Sequence, residues 1–457
     1  MKRRIVLLAT FLLIMCVMLL TSANIIFASA SSVTRSSACF DPGGTKTLQG
    51  VIGGANYTIA VPSNWNRTLL LYSHGYAFVG TPLPNPAPDA SDPASAAVLL
   101  AQGYALAGSS YSQNGWALQQ AFHDQIALLD FFKQTCGHPT RVIPWGDSLG
   151  GIITAGLVQL YPHLFAGALP MCGVLAGGVG TWNQALDGAF AFNLLLAGGA
   201  VSPVHLSNPQ ASLQQALTLL NQAQQTPQGR ARIALSSALS NIPGWFSPGS
   251  PRPGAKDFAA QEQNQFLWQS QVDFLFAFLG RAELEARAGG NPSWNVGVNY
   301  TRQLLLSSDR QEVEALYKAA GLNLKADLHT LNAAPRISAD PKAAAYLSKY
   351  ITFNGDLDIP VLTLHTTGDG LVVNQNEQSY QSAVFRHGDS RLLRQVFVER
   401  AGHCAFTPAE KLTALQTLIR RLNTGRWDDS TNVSLLNQEA TALGPALNTV
   451  APAFLNF

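Results

Sequence analysis

Gly146-Asp147-Ser148-Leu149-Gly150 limits this chain more than any other stretch. It follows the apolar run Val142-Ile143-Pro144-Trp145 and precedes Gly151-Ile152-Ile153-Thr154-Ala155-Gly156-Leu157-Val158, an order that reads as strand, tight turn and helix. A serine in so sharp a turn is held in a strained backbone conformation that only small neighbours tolerate, and Gly146 and Gly150 are those neighbours. The turn lifts the Ser148 hydroxyl to the carboxyl edge of a sheet, with a helix N-terminus behind it.

The flanking segments alternate in the way such a sheet needs. Lys46–Val51 and Tyr57–Val61 read as an antiparallel pair, and Thr68–Ser73 is an apolar strand with the continuity expected when helices cover both faces. A helix starts at Asp92-Pro93, with Asp92 as N-cap and Pro93 at the first position, and runs through Ala101. The strand Tyr104–Gly108, a helix over about Ala117–Gln134, the elbow strand with its helix, and the strand Ala166–Met171 follow. From about Gly173 to Asp356 no buried strand is visible. Helical patterns occupy Trp182–Leu196, Leu213–Gln224, Arg230–Leu239, Phe258–Arg287, Thr301–Ala320 and Pro341–Tyr350. Sheet signals return at Pro360–His365 and Arg394–Val398, and Pro408–Leu422 closes as a helix, whereas the residues from Trp427 onward show no period. The expected fold class is therefore α/β: a doubly wound, mostly parallel sheet with an inserted all-helical cap. The core would comprise residues 31–175 and 356–457, and the insertion residues 176–355.

A serine hydroxyl alone is a weak nucleophile, and it needs a base within hydrogen-bond reach and an acid that fixes the tautomer of that base. Asp369 lies in the glycine-flanked turn Thr367-Gly368-Asp369-Gly370 directly after the strand at 360–365, whereas Asp356 and Asp358 precede that strand and would lie at its wrong end. His403 follows Gly402 in the loop after the last strand. His387 precedes that strand and His365 lies within the previous one, which makes both less suitable. Developing oxyanion charge needs two N–H donors, and the expected pair is the backbone N–H of Leu149 and that of Tyr76, in the loop His74-Gly75-Tyr76 after Ser73. His74 would brace that loop.

Ser148 in G-D-S-L-G, Asp369 in T-G-D-G, His403 in A-G-H-C and the His74-Gly75-Tyr76 loop together resemble the α/β-hydrolase superfamily, in which the triad runs Ser, Asp, His along the chain. In that superfamily a cap is commonly inserted after the strand that follows the elbow helix, where the helical block falls. The His-Cys pair is also similar to tannases and feruloyl esterases, in which a disulfide ties the neighbours of the triad together. Those enzymes carry Cys before the nucleophile, whereas Asp147 stands there here, leaving Cys172 as a substitute partner for Cys404. The resemblance implies hydrolysis of carboxylic esters through an acyl-enzyme, with no metal or organic cofactor. A serine exopeptidase of the same fold is the alternative. Such an enzyme needs cap carboxylates to hold a free amine, and Glu283, Glu285, Glu312 and Glu314 are available but read as solvated helix faces. An idle binding protein would have a broken triad position, and none is broken.

Composition narrows the partners. The net charge is +2 and 12% of the 457 residues are charged, with no basic run to mark nucleic acid. Lys2-Arg3-Arg4, the apolar stretch Ile5–Leu20 and Ala28-Ser29-Ala30 read as a signal peptide over residues 1–30, with an uncleaved anchor as the alternative. The mature chain is expected to be secreted, with no stable membrane span. Cys39, Cys136, Cys172 and Cys404 remain after the leader and permit three pairings. Cys172 with Cys404 and Cys39 with Cys136 is the expected set, and four buried free thiols are the alternative. The aromatic residues of the helical block, among them Phe190, Phe192, Trp245, Phe246, Phe266, Trp268, Phe274, Phe276 and Trp294, should mostly pack between helices. Some should face Ser148 and shape an apolar pocket for a small-molecule or polymeric ester.

Overall fold

The computed structural model describes residues 38–455. The expected signal peptide lies outside the described residues. Among the described residues, nine strands form one sheet in the order β1-β2-β4-β3-β5-β6-β7-β8-β9. They are β1 (Thr45–Ile52), β2 (Ala55–Pro62), β3 (Thr68–Ser73), β4 (Ala105–Ser109), β5 (Arg141–Asp147), β6 (Leu169–Met171), β7 (Val361–Gly368), β8 (Leu393–Ala401) and β9 (Phe454–Leu455). β3 through β8 pair in parallel, whereas β1, β2 and β9 are joined antiparallel at the two ends.

Alternation along a strand sends successive side chains to opposite faces. Leu69 and Leu71 of β3 join one core with Phe122, Leu129 and Phe132 of α2 (Leu118–Cys136) and Ile152 of α3 (Leu149–Leu160). Leu70 and Tyr72 point the other way, into a core with Leu99 of α1 (Pro93–Ala101) and Leu412, Leu415 and Leu418 of the helix Pro408–Thr424. Both faces are covered, which is why β3 is buried at every position. α1 is capped as the sequence indicates: the Asp92 carboxylate accepts from the Ser95 N–H at 2.7 Å, with Pro93 in the first turn.

Between β6 and β7 the chain is helical. α4 (Gly177–Leu195), α5 (Pro209–Gln224) and α6 (Pro227–Leu239) come first, and α7 (Phe258–Trp268) continues through two π-helical turns, Gln269–Asp273 and Leu275–Gly280, into α8 (Arg281–Ala288). The segment read as one helix over 301–320 is two, α9 (Tyr300–Leu306) and α10 (Arg310–Ala319), parted at Ser307-Ser308. α11 (Leu324–Ala333), capped by Asn323, carries no separate signal in the expectations above, and α12 (Pro341–Lys349) follows. After β7, α13 (Gln375–His387) precedes β8, and α14 (Pro408–Thr424) follows it. The stretch beyond Trp427 forms α15 (Val433–Ala442) and the edge strand β9. Among the described residues no helix is long and apolar enough to cross a membrane.

Candidate active site

β5 ends at Asp147 and α3 begins at Leu149, so Ser148 occupies the turn between them with φ 59° and ψ −118°. That is the left-handed half of φ space, costly for a residue with a Cβ. Close packing demands it. A Cβ on Gly146 or on Gly150 would collide with the Ser73 carbonyl oxygen of the neighbouring strand. The Ser148 N–H donates to the Met171 carbonyl at 2.9 Å and ties the turn to β6.

Two further side chains converge there. His403 Nε2 is 2.7 Å from Ser148 Oγ, and His403 Nδ1 is 2.7 Å from Asp369 Oδ2. Asp369 is 1% exposed. Its other oxygen accepts from the Leu371 and Val372 N–H groups at 3.0 and 2.9 Å, so the carboxylate cannot rotate. With Nδ1–H donating to that carboxylate, Nε2 is left to accept from the serine hydroxyl. Gly402 (φ 96°) makes the turn into His403, and Thr366 Oγ1 donates to its carbonyl at 2.7 Å.

Behind Asp369 lies His365, fully buried within β7. Its Nδ1 is 3.1 Å from Glu377 Oε1, its Nε2 is 2.7 Å from the Val372 carbonyl, and Nε2 stands 3.6 Å from Asp369 Oδ2. Both ring nitrogens face acceptors, and only an imidazolium donates to both. Burial alone would lower its pKa, yet the Glu377 carboxylate and Asp369 outweigh that and raise it. The strand position that argues against His365 as the base is the position that sets it between Glu377 and Asp369.

The disulfides are Cys172–Cys404 and Cys39–Cys136, the expected set. Cys172 and Cys404 have φ of 42° and 54°, and Cys404 Sγ lies 3.4 Å from His403 Nε2. Asp147, where a cysteine would stand in tannase-like enzymes, accepts from Tyr72 Oη at 2.8 Å and Ser91 Oγ at 2.6 Å.

The loop after β3 abuts the turn: a Cβ on Gly75 would stand 3.5 Å from Ser148 Cβ. His74 Nδ1 donates to the Gly75 carbonyl at 2.7 Å, its ring stacks on Tyr111 at 4.1 Å, and burial lowers its pKa. Tyr76, Leu149 and Ser148 line one cavity of about 70 Å³, closed by Trp116, Trp182 and Phe276. Phe276 and Trp182 are thus the aromatic residues from the helical block that line the cavity over Ser148, while Phe190, Phe192, Trp245 and Trp268 are buried in packing. Trp116 and Trp182 carry no sequence signal of their own.

Three of the four glutamates read as solvated are folded inward. Glu283 accepts from the Trp116 N–H at 2.9 Å and from Arg287 Nε at 2.6 Å. Glu285 accepts from the His205 N–H at 2.9 Å. Glu312, pushed up to about 9 by burial and then by Asp309, accepts from Gln265 Nε2 at 3.0 Å. Glu314 alone is exposed, paired with Arg310 at 2.7 Å. Helical periodicity places each of the three on a polar face, but the loops at Trp116 and His205 and the helix carrying Gln265 meet them there.

No family model matches the chain. It is 29% identical over 433 residues to an o-phthalyl amidase of Xanthobacter agilis, covering 87% of this chain and 91% of that one. Among solved structures, a rice cell wall degrading esterase LipA from Xanthomonas oryzae aligns at 16% identity and a TM-score of 0.37, covering 83% of this chain and 89% of the other. An esterase from Aspergillus oryzae aligns at 12% identity and a TM-score of 0.40, covering 83% and 80%. With its parallel sheet, antiparallel ends, strained serine turn between β5 and α3 and helical segment between β6 and β7, the chain has the α/β-hydrolase fold.

Proposed function

We propose that the chain is a serine hydrolase that transfers the acyl group of a carboxylic ester to water. Ser148 Oγ attacks the ester carbonyl while its proton passes to His403 Nε2. Asp369 holds the resulting imidazolium through Nδ1. The backbone N–H groups of Leu149 and Tyr76 receive the tetrahedral oxyanion, and the N-terminus of α3 favours the same charge. The C–O bond breaks, Nε2 returns the proton to the leaving alcohol, and water repeats the sequence on the acyl-enzyme. No cofactor takes part in these steps. The observation that carries this reading is the pair of 2.7 Å contacts from His403 to Ser148 and Asp369.

Amide hydrolysis is a second reading, favoured by the amidase at 29% identity over most of both chains. Residues 176–355 act as the cap on a core of residues 31–175 and 356–457, and the substrate is a small or polymeric ester with apolar groups. The two disulfides fit export behind a leader at residues 1–30. A fluorophosphonate probe should label the wild type and not Ser148→Ala, and p-nitrophenyl esters should turn over faster than the matching anilides. Absence of labelling in folded wild type refutes the reading, and faster anilide turnover replaces ester by amide.

A further inference from the structure

The helix that begins at Phe258 loosens into its first π turn at Gln269–Asp273. Such turns re-aim side chains that an α-helix would stagger differently. Here Gln269 and Asp273 line a second cavity, of about 90 Å³. It shares Trp182, Ala185, Phe276 and Leu371 with the cavity over Ser148, and Gly370, next to Asp369, is in its wall.

Polar atoms in this wall are unsatisfied. Asp273 Oδ2 and Gln269 Oε1 are shut off from water and have no hydrogen-bond partner among the described residues. The Gln269 amide nitrogen is committed to Ser237 Oγ at 2.6 Å and Ser236 Oγ at 3.1 Å, which fixes the free atom as an acceptor. Trp182 Nε1 is an unpartnered donor in the same wall. Among the described residues no lysine, arginine or histidine lines the cavity. A buried carboxylate without a cation is costly, and one retained beside a substrate cavity calls for a partner that arrives with the ligand. Burial, and then the charge of Asp369, raises the Asp273 carboxyl well above its usual range, as expected for an acid short of a positive neighbour.

We infer that this cavity is the subsite for a protonated amine of the substrate, with Asp273 as its counter-ion and Gln269 Oε1 as a second acceptor. The faces of Phe274, Phe276 and Trp182 suit the same cation. An anionic group would find no lysine, arginine or histidine among the lining residues to receive it. The substrate class is then an amino-bearing ester or amide. The assignment as a substrate subsite rests on the serine-hydrolase reading above, whereas the binding of an amine does not.

Benzylammonium is the probe and benzyl alcohol its neutral counterpart, titrated calorimetrically into wild type and Asp273→Asn. Wild type should bind the ammonium ion about tenfold or more tightly than the alcohol, and Asp273→Asn should lose that margin. Melting separates this from a structural role: removing an uncompensated acid should leave the midpoint unchanged or raised, whereas loss of a structural contact lowers it. Equal binding of ammonium and alcohol by wild type overturns the subsite, whether or not the variant folds. So does an Asp273→Asn protein that keeps the margin. Fluorophosphonate labelling of Ser148 does not depend on the amine. Labelling without the ammonium preference sinks the subsite alone, and no labelling sinks the hydrolase reading instead.

Discussion

Asp369→Asn isolates the electrostatic part of the proposed triad. The carboxylate makes three contacts: Oδ1 accepts from the Leu371 and Val372 N–H groups, and Oδ2 accepts from His403 Nδ1. An asparagine must give its oxygen to the two backbone donors, since its amide nitrogen cannot accept from either. The NH₂ group is then turned toward His403 Nδ1. That nitrogen must become the acceptor, the ring proton moves to Nε2, and Nε2 can no longer take the Ser148 proton. Two hydrogen bonds survive and the third is inverted, so packing and stability should change little while the base is lost. The same tautomer error in another Ser-His-Asp enzyme costs about 10⁴-fold in kcat, equivalent to about 5.5 kcal/mol of transition-state stabilisation. The assay is p-nitrophenyl ester turnover against pH, alongside the thermal melt. A folded Asp369→Asn protein within about tenfold of wild-type kcat at neutral pH refutes the reasoning, because a correctly held tautomer would then be unnecessary.

Gly150→Ala places a Cβ against the Ser73 and His74 carbonyl oxygens; it should lower stability by about 1–3 kcal/mol and slow fluorophosphonate labelling, as read by denaturant titration and labelling rate. The Cys172–Cys404 bond spans 232 residues, and its removal in Cys172→Ala/Cys404→Ala should cost up to about 5 kcal/mol on the chain-entropy estimate and lower kcat by freeing the loop that carries His403; an intact kcat in folded double variant would separate the staple from the site. His365 has a raised pKa in the fold. Its pairing with Glu377 should therefore contribute stability fully below the unfolded value of about 6.5, and that contribution should be lost as pH rises through the folded value. Urea unfolding of wild type should show this slope and His365→Gln should not, with an overall loss of about 3–5 kcal/mol from the stranded Glu377.

The parts of this molecule visible in the sequence are those whose physics is local. The Ser148 turn, the Asp92-Pro93 helix start and the doubly covered strand at 68–73 each follow from a few adjacent residues, and each stands where expected. The positions of Asp369 and His403 follow from the rule that loops converge at the carboxyl ends of parallel strands, which needs only strand order. The failures are all of the opposite kind. Whether Glu283, Glu285 and Glu312 face water depends on which distant loop or helix meets them. Whether Asp273 reaches the cleft depends on a π turn that no periodicity reveals. His365 reads as an ordinary strand residue until Glu377, from α13, is brought against it. β9 acquires its strand character from pairing with β8, not from its own two residues.

Where the helical segment enters and leaves explains how so large an insertion coexists with one sheet. β6 and β7 are hydrogen-bonded parallel neighbours, with Met171 opposite Leu364, so the segment leaves at the carboxyl edge of the sheet and returns at the amino edge. The entropy of closing such a loop grows only with the logarithm of its length, about 0.6 kcal/mol per doubling. The sheet therefore tolerates some 180 inserted residues nearly as well as a few dozen. The entry sets the insertion beside the proposed catalytic groups: it follows Cys172, which is bonded to the neighbour of His403. On the proposed reading, substrate selection changes through residues such as Trp182, Asp273 and Phe276 while β5, β7 and β8 keep Ser148, Asp369 and His403 in register. If that division holds, substitutions at Asp273 should alter which substrates are taken without altering the rate at which a small fluorophosphonate reacts with Ser148, and a parallel loss of both would show that the two layers are not separable.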